Sequence, residues 1–164
     1  MKAQNAAQGV GRDPSSRGLT RSRVRMAFQR LGGRKLLGLN VRSEADFIRV
    51  IERGMPVDAL AELTKREGLL PEEIDRLIIP RRTLSHRKAK NQPLNRIESE
   101  RAIRVASIAS LAEETFSNAE KAHVWLRRPT TALGGQRPLD LLDSEPGART
   151  VEQLLYRIAH GIAA

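Results

Sequence analysis

Prolines and glycines cut this chain into short aliphatic segments, and that punctuation leaves few folds open to it. Ser43 is followed by Glu44 and Asp46, then by Phe47, Val50 and Ile51, and Gly54 closes the segment. Pro56 opens the next, where Val57, Leu60, Ala61 and Leu63 form a stripe that stops at Gly68. Pro71 opens a third with Ile74, Leu77 and Ile78, and Pro80 ends it by barring Ile79 from helical geometry. Proline suits the first helical position and glycine the position just past the last, while a serine before acids in the first turn caps a start. Apolar residues three and four apart bury one face of a helix; nothing here alternates as a half-buried strand does. The expected fold class is all-α.

The same reading continues downstream. A fourth helix runs Arg81 to Lys88, followed by the polar turn Asn91-Gln92-Pro93. A long helix is predicted from about Asn95 to Thr115, with Ile97, Val105, Ile108, Leu111 and Ala112 inward. Ser117 to Glu120 has capping-box spacing ahead of another helix that ends at Arg128-Pro129. Only 3% of residues are aromatic, so the core must be aliphatic. Without cysteine there is no disulfide framework, thiolate nucleophile or thiolate metal site. Residues 1–20 are rich in Gly, Ser, Gln and Ala and read as a disordered basic tail. Residues 21–42 read as a basic extension carrying Val24, Phe28, Leu31, Leu36, Leu37 and Leu39, a short helix broken at Gly32-Gly33. No apolar run reaches the roughly 20 residues of a bilayer span, and no apolar signal region opens the chain. A cytoplasmic protein is expected.

Charge is unevenly placed. Residues 1–42 hold ten Lys/Arg and one acid, residues 43–79 five bases and nine acids, and residues 80–104 eight bases and two acids. Two basic islands on a near-neutral body point to a polyanion, most simply nucleic acid. The second island contains the helix pair 71–78 and 81–88. Two short helices joined by a tight turn describe a helix-turn-helix, whose second helix enters the DNA major groove. Leu84 is its inward residue. Arg81, Arg82, Thr83, Ser85, His86, Arg87 and Lys88 are the candidate DNA contacts, arginine matching guanine's paired acceptors and the hydroxyls reaching phosphates or base edges.

Nothing in the chain reads as a catalytic or metal centre. His86, His123 and His160 lack a second ligand at metal spacing, so no metal or other cofactor is expected. Ser85 and His86 are adjacent, so their side chains diverge and cannot act as nucleophile and base. Glu72-Glu73 and Glu113-Glu114 read as solvated pairs on helix surfaces. Gly134-Gly135-Gln136 is the tripeptide that peptide release factors use, but there it sits on a loop of a mixed α/β domain. Here a turn before a proline-started helix accounts for both glycines. Trp125, Leu126, Leu133, Leu139, Leu141 and Leu142 read as a small core. Val151, Leu154, Leu155, Ile158 and Ile162 then recur at helical spacing, a stripe that either packs on the same core, as expected up to Ile158, or is presented to a partner, as expected beyond His160.

Two segments together resemble the Xre/MbcA/ParS family of antitoxins. One is Ile79-Pro80-Arg81-Arg82-Thr83-Leu84 with a long helix opening at Glu98-Ser99-Glu100. The other is an ordered cassette: Trp125-Leu126, Pro129, Ala132-Leu133-Gly134-Gly135, Pro138 to Leu142, Gly147-Ala148, Val151, Leu154-Leu155, Arg157-Ile158 and Gly161. The resemblance covers about residues 43–164. It implies an Xre-like helix-turn-helix domain over 43–115 and a small helical toxin-binding domain over 116–164. It further implies a cognate RES-domain toxin that degrades NAD⁺ or transfers its ADP-ribose, blocked when the antitoxin's tail sits at its active-site entrance. Leu155, Arg157, Ile158, His160, Gly161, Ile162, Ala163 and Ala164 are the residues so implied. The antitoxin itself would be no enzyme, and its helix-turn-helix, as a homodimer on operator DNA, would repress its own operon. The alternative is a stand-alone repressor whose C-terminal cassette only dimerises.

Overall fold

The computed structural model describes residues 25–38, 41 and 43–162. Val24, Leu39 and the 1–20 tail lie outside them. Helical residues 25–30 (α1) lead to α2 (Gly33–Leu37), and the turn at Gly32 and Gly33 is left-handed, with φ of 93° and 55°. Then come α3 (Glu44–Arg53), α4 (Asp58–Glu67), α5 (Pro71–Leu77), α6 (Arg81–Ala89), α7 (Arg96–Phe116), α8 (Ala119–Arg127) and α9 (Glu145–Ala159), with 3-10 turns at Thr131–Leu133 and Pro138–Asp143. Among the described residues there is no strand, only one isolated bridge between Thr130 and Gln136. The fold is all-α.

Local chemistry sets the ends. Ser43 and Asp46 form a reciprocal capping box, the Asp46 amide donating to Ser43 Oγ at 3.2 Å and the Ser43 amide to Asp46 Oδ2 at 3.0 Å. Gly54 stops α3 at φ 79°, and any Cβ there would meet the Leu94 carbonyl oxygen at 2.5 Å. Only glycine allows the 93–94 segment to pass so close and let the Leu94 amide donate to Met55 O. Asn95 and Glu98 repeat the box at the head of α7.

Three details differ from the sequence reading. Ala61 faces solvent and Ala59 takes the inward place on α4, because Ala59, Leu60, Leu63 and Glu67 share the buried face at helical spacing. Ile97 is 59% exposed, since the buried side of α7 at this end is carried by Glu98, Ser99, Ala102 and Ile103 and Ile97 points away from it. Asn118, not Ser117, caps α8: its Oδ1 accepts from the Lys121 amide at 2.8 Å, while Ser117 is left-handed and ends α7.

Helix α7 is the axis of the molecule. It packs most extensively on α8 and α9, and also on α3, α4, α5 and the 138–143 turn. The buried aliphatic side chains form one continuous core from Phe28 to Leu155, with Trp125 packed at its margin against Phe116, ring centroids 5.5 Å apart.

Candidate functional site

The turn between α5 and α6 is built from Ile78, Ile79 and Pro80, with both isoleucines wholly buried. Pro80 has no side chain able to cap α6, and the Asp75 carboxylate on α5 accepts from the Arg81 amide instead. No residue of α6 is fully buried; Leu84 packs against the core, Thr83 and Arg87 are half-buried, and the others look outward. Arg81, Arg82, Ser85, His86 and Lys88 are exposed and Thr83 is half-buried. Ser85 Oγ donates to the Arg81 carbonyl at 3.0 Å, which leaves its oxygen lone pairs facing out. Among the described residues no carboxylate pairs with Arg81, Arg82 or Lys88, so this face keeps its positive charge.

Arg87 does not share that face. Its Nε and Nη2 lie 2.9 and 3.1 Å from the Glu98 carboxylate and its Nη1 donates to the Pro93 carbonyl at 3.0 Å. Glu98 is 7% exposed and needs a counter-charge, so Arg87 turns in and fastens α6 to α7.

At the other end of the chain, Val151, Leu154 and Leu155 of α9 are in the core. Leu155, expected as a partner contact, has no exposed surface; the stripe's buried edge includes it. Ile158 packs half-buried against the core, and Arg157, His160, Gly161 and Ile162 are exposed. The helix closes on a Schellman-type turn: Gly161, at φ 63°, donates to the Ile158 carbonyl and the Ile162 amide to the Arg157 carbonyl. Tyr156, which the aliphatic stripe passes over, is exposed and stacks on His160 with centroids 4.0 Å apart. His160 Nδ1 lies 2.8 Å from the Tyr156 carbonyl oxygen. A tyrosine in a chain nearly free of aromatics was the available signal for it. Ala163 and Ala164 lie outside the described residues.

Gly134 and Gly135, at φ 64° and 80°, form an exposed turn. The Gln136 carbonyl accepts from the Thr130 amide, so this tripeptide closes a small loop. Polar ties join the two ends of the molecule. Arg127 on α8 holds Glu73 on α5, and Asp140 in the 138–143 turn pairs with Arg76 on α5 and Arg137. Burial would raise the Asp140 carboxyl, but the two guanidiniums outweigh it and hold it below the usual range. Among the described residues no helix is long and apolar enough to cross a membrane.

Residues 46–107 match the antitoxin Xre-like helix-turn-helix domain, and residues 111–161 match the antitoxin Xre/MbcA/ParS C-terminal toxin-binding domain. The chain is 40% identical over 111 residues to an antitoxin Xre of Pseudomonas putida, covering 68% of this chain and 69% of that one. It is 32% identical over 135 residues to the Prs ADP-ribosylating antitoxin of a Sphingobium species, covering 74% and 83%. It is 30% identical over 128 residues to an antitoxin Xre of Yersinia enterocolitica, covering 77% and 86%. With a helix-turn-helix domain matched over residues 46–107 and a toxin-binding domain matched over 111–161, this chain belongs to the Xre/MbcA/ParS family of antitoxins.

Proposed function

We propose that this antitoxin neutralises a RES-domain toxin that consumes NAD⁺ or transfers its ADP-ribose, by seating its C-terminal tail at the toxin's active-site entrance. The observation that carries the reading is the division of labour along α9. Val151, Leu154 and Leu155 anchor the helix in the core while Tyr156, Arg157, His160 and Ile162 stand exposed at its end. An anchored helix presents its terminus at little entropic cost. The docking residues are Arg157, Ile158, His160, Gly161, Ile162, Ala163 and Ala164, to which we add Tyr156. The name of the Sphingobium relative, Prs ADP-ribosylating antitoxin, agrees with a toxin partner of the ADP-ribose-transferring kind. The antitoxin acts by binding and performs no chemistry.

In the same reading α6 meets operator DNA through Arg81, Arg82, Thr83, Ser85, His86 and Lys88. A homodimer then contacts paired half-sites and represses the antitoxin's own operon in the cytoplasm. Removal of residues 160–164 tests the first part: cells are expected to lose protection from a co-expressed RES toxin while the helical circular dichroism and melting temperature stay near wild type. A truncated chain that still protects sinks the plug. Arg81→Ala with Arg82→Ala is expected to lose operator binding and keep neutralisation. A full-length chain that binds its operator yet protects no cell is the stand-alone repressor.

A further inference from the structure

Three side chains far apart in the sequence meet beneath α8, away from both surfaces above. Glu67 ends α4, Glu113 lies on α7 and His123 on α8. His123 Nε2 is 3.8 Å from Glu67 Oε2 and 3.7 Å from Glu113 Oε1, and one donor atom from each residue falls within 4.8 Å of the other two. Glu67 is 2% exposed, and its Oε2 and the His123 Nε2 are buried atoms without a hydrogen-bond partner. Arg30, from α1, takes the remaining positions: it bonds Glu67 Oε1 and both oxygens of Glu113.

The charges do not balance. Two carboxylates face one guanidinium, and a neutral imidazole supplies nothing further. A proton on His123 is one remedy, but separations of 3.7 and 3.8 Å exceed the roughly 2.7–3.2 Å of an N–H···O bond. A bound ion suits them better. Zinc bonds of about 2.0–2.2 Å in tetrahedral array leave neighbouring donor atoms roughly 3.3–3.6 Å apart, a few tenths below the two distances from His123, while the two carboxylate donors lie within 4.8 Å of each other.

We infer that Glu67 Oε2, Glu113 Oε1 and His123 Nε2 form a site for one divalent transition-metal ion of the zinc class. One imidazole and two carboxylates without thiolate is a ligand set such ions accept, and three protein donors leave a fourth position for water. A groove lined by Arg25, Gln29 and Arg66 reaches Arg30 and Glu113. Arg30 is the outer partner that orients both carboxylates. The bound ion joins α4 of the helix-turn-helix domain to α8 of the toxin-binding domain. Spacing along the chain could not show this site, because each ligand comes from a different helix.

The test uses the full-length protein stripped with a chelator, then dialysed against Zn²⁺ alone. One ion per chain is expected, together with a higher melting temperature. His123→Ala, first shown to keep its helical circular dichroism without metal, is expected to bind at least about tenfold more weakly, the lower bound known even for outer-sphere partners. His86→Ala serves as a control and keeps the ion. Wild-type protein that binds no stoichiometric ion, or a His123→Ala variant that binds as wild type does, overturns the assignment. So does a melting temperature that ignores Zn²⁺ and instead rises as pH falls through the histidine range, for then a protonated His123 supplies the missing charge.

Discussion

Arg127 holds Glu73 by two parallel bonds, Nε to Oε1 at 2.9 Å and Nη2 to Oε2 at 2.8 Å. The same Glu73 Oε2 accepts from the Leu70 amide at the head of α5, and Arg127 Nη2 also donates to the Gly68 carbonyl. One guanidinium therefore ties the toxin-binding domain to α5 of the helix-turn-helix domain. Arg127→Ala removes both bonds and leaves the 8%-exposed Glu73 without its counter-charge. A loss of about 1–3 kcal/mol is expected in urea unfolding. Arg127→Lys should recover less than half of it, since an ammonium cannot span both carboxylate oxygens. Equal stability of the lysine variant and wild type contradicts the bidentate reading.

Arg82 and Arg87 are expected to separate cleanly. Arg82→Ala should leave stability within about 0.5 kcal/mol and lower the salt slope of operator binding by about one counter-ion. Arg87→Ala should cost about 1–3 kcal/mol of stability, because Glu98 is left buried and unpaired. Thermal melts beside binding titrations at several salt concentrations distinguish the two.

Leu155 and Tyr156 are neighbours with opposite roles. Leu155→Ala opens a cavity in the core and is expected to cost about 2–5 kcal/mol. Tyr156→Ala should hardly move the unfolding midpoint and should weaken toxin binding by more than about 1 kcal/mol, as truncating an exposed aromatic anchor does. Calorimetric titration of each variant with toxin, beside its urea curve, decides the matter.

Asp140 gives the fold an acid-sensitive clasp. Its carboxyl is held below the ordinary 3.8, so its contribution is present above that value and lost as pH falls through the lower folded value. Asp140 is partly exposed, which limits the effect to about 1 kcal/mol or less. Wild type and Asp140→Asn are expected to differ in melting temperature at pH 6 and to converge progressively as pH falls below 3.8. Curves that stay parallel throughout rule out the clasp.

Local chemistry was readable in the chain and direction was not. Ser43, Gly68, Pro71 and Asn95 fix helix ends through contacts a few residues away, so their roles follow from neighbours in the sequence. Leu155 and Ile158 lie on the same periodic stripe, but periodicity does not say which edge of a stripe is covered. Only the packing of α9 on α7 buries one and half-exposes the other. Arg87 reads as one more cation in a basic run until the fold brings Glu98 beside it. Ile97 looks inward by spacing and stands out because Glu98 and Ser99 take the covered side of that turn. Glu67, Glu113 and His123 had no shared motif to announce them.

The two family matches stop at residue 107 and resume at 111, within an unbroken α7. Val105, Ile108, Leu111 and Ala112 straddle that gap and are all buried in the one core. A cut there takes hydrophobic surface from both sides, so neither half has a complete interior without the other. Inheritance follows the same rule: a gene fusion that swaps one domain at this point must rebuild the shared helix, and a protease that opens it destroys both domains in a single event.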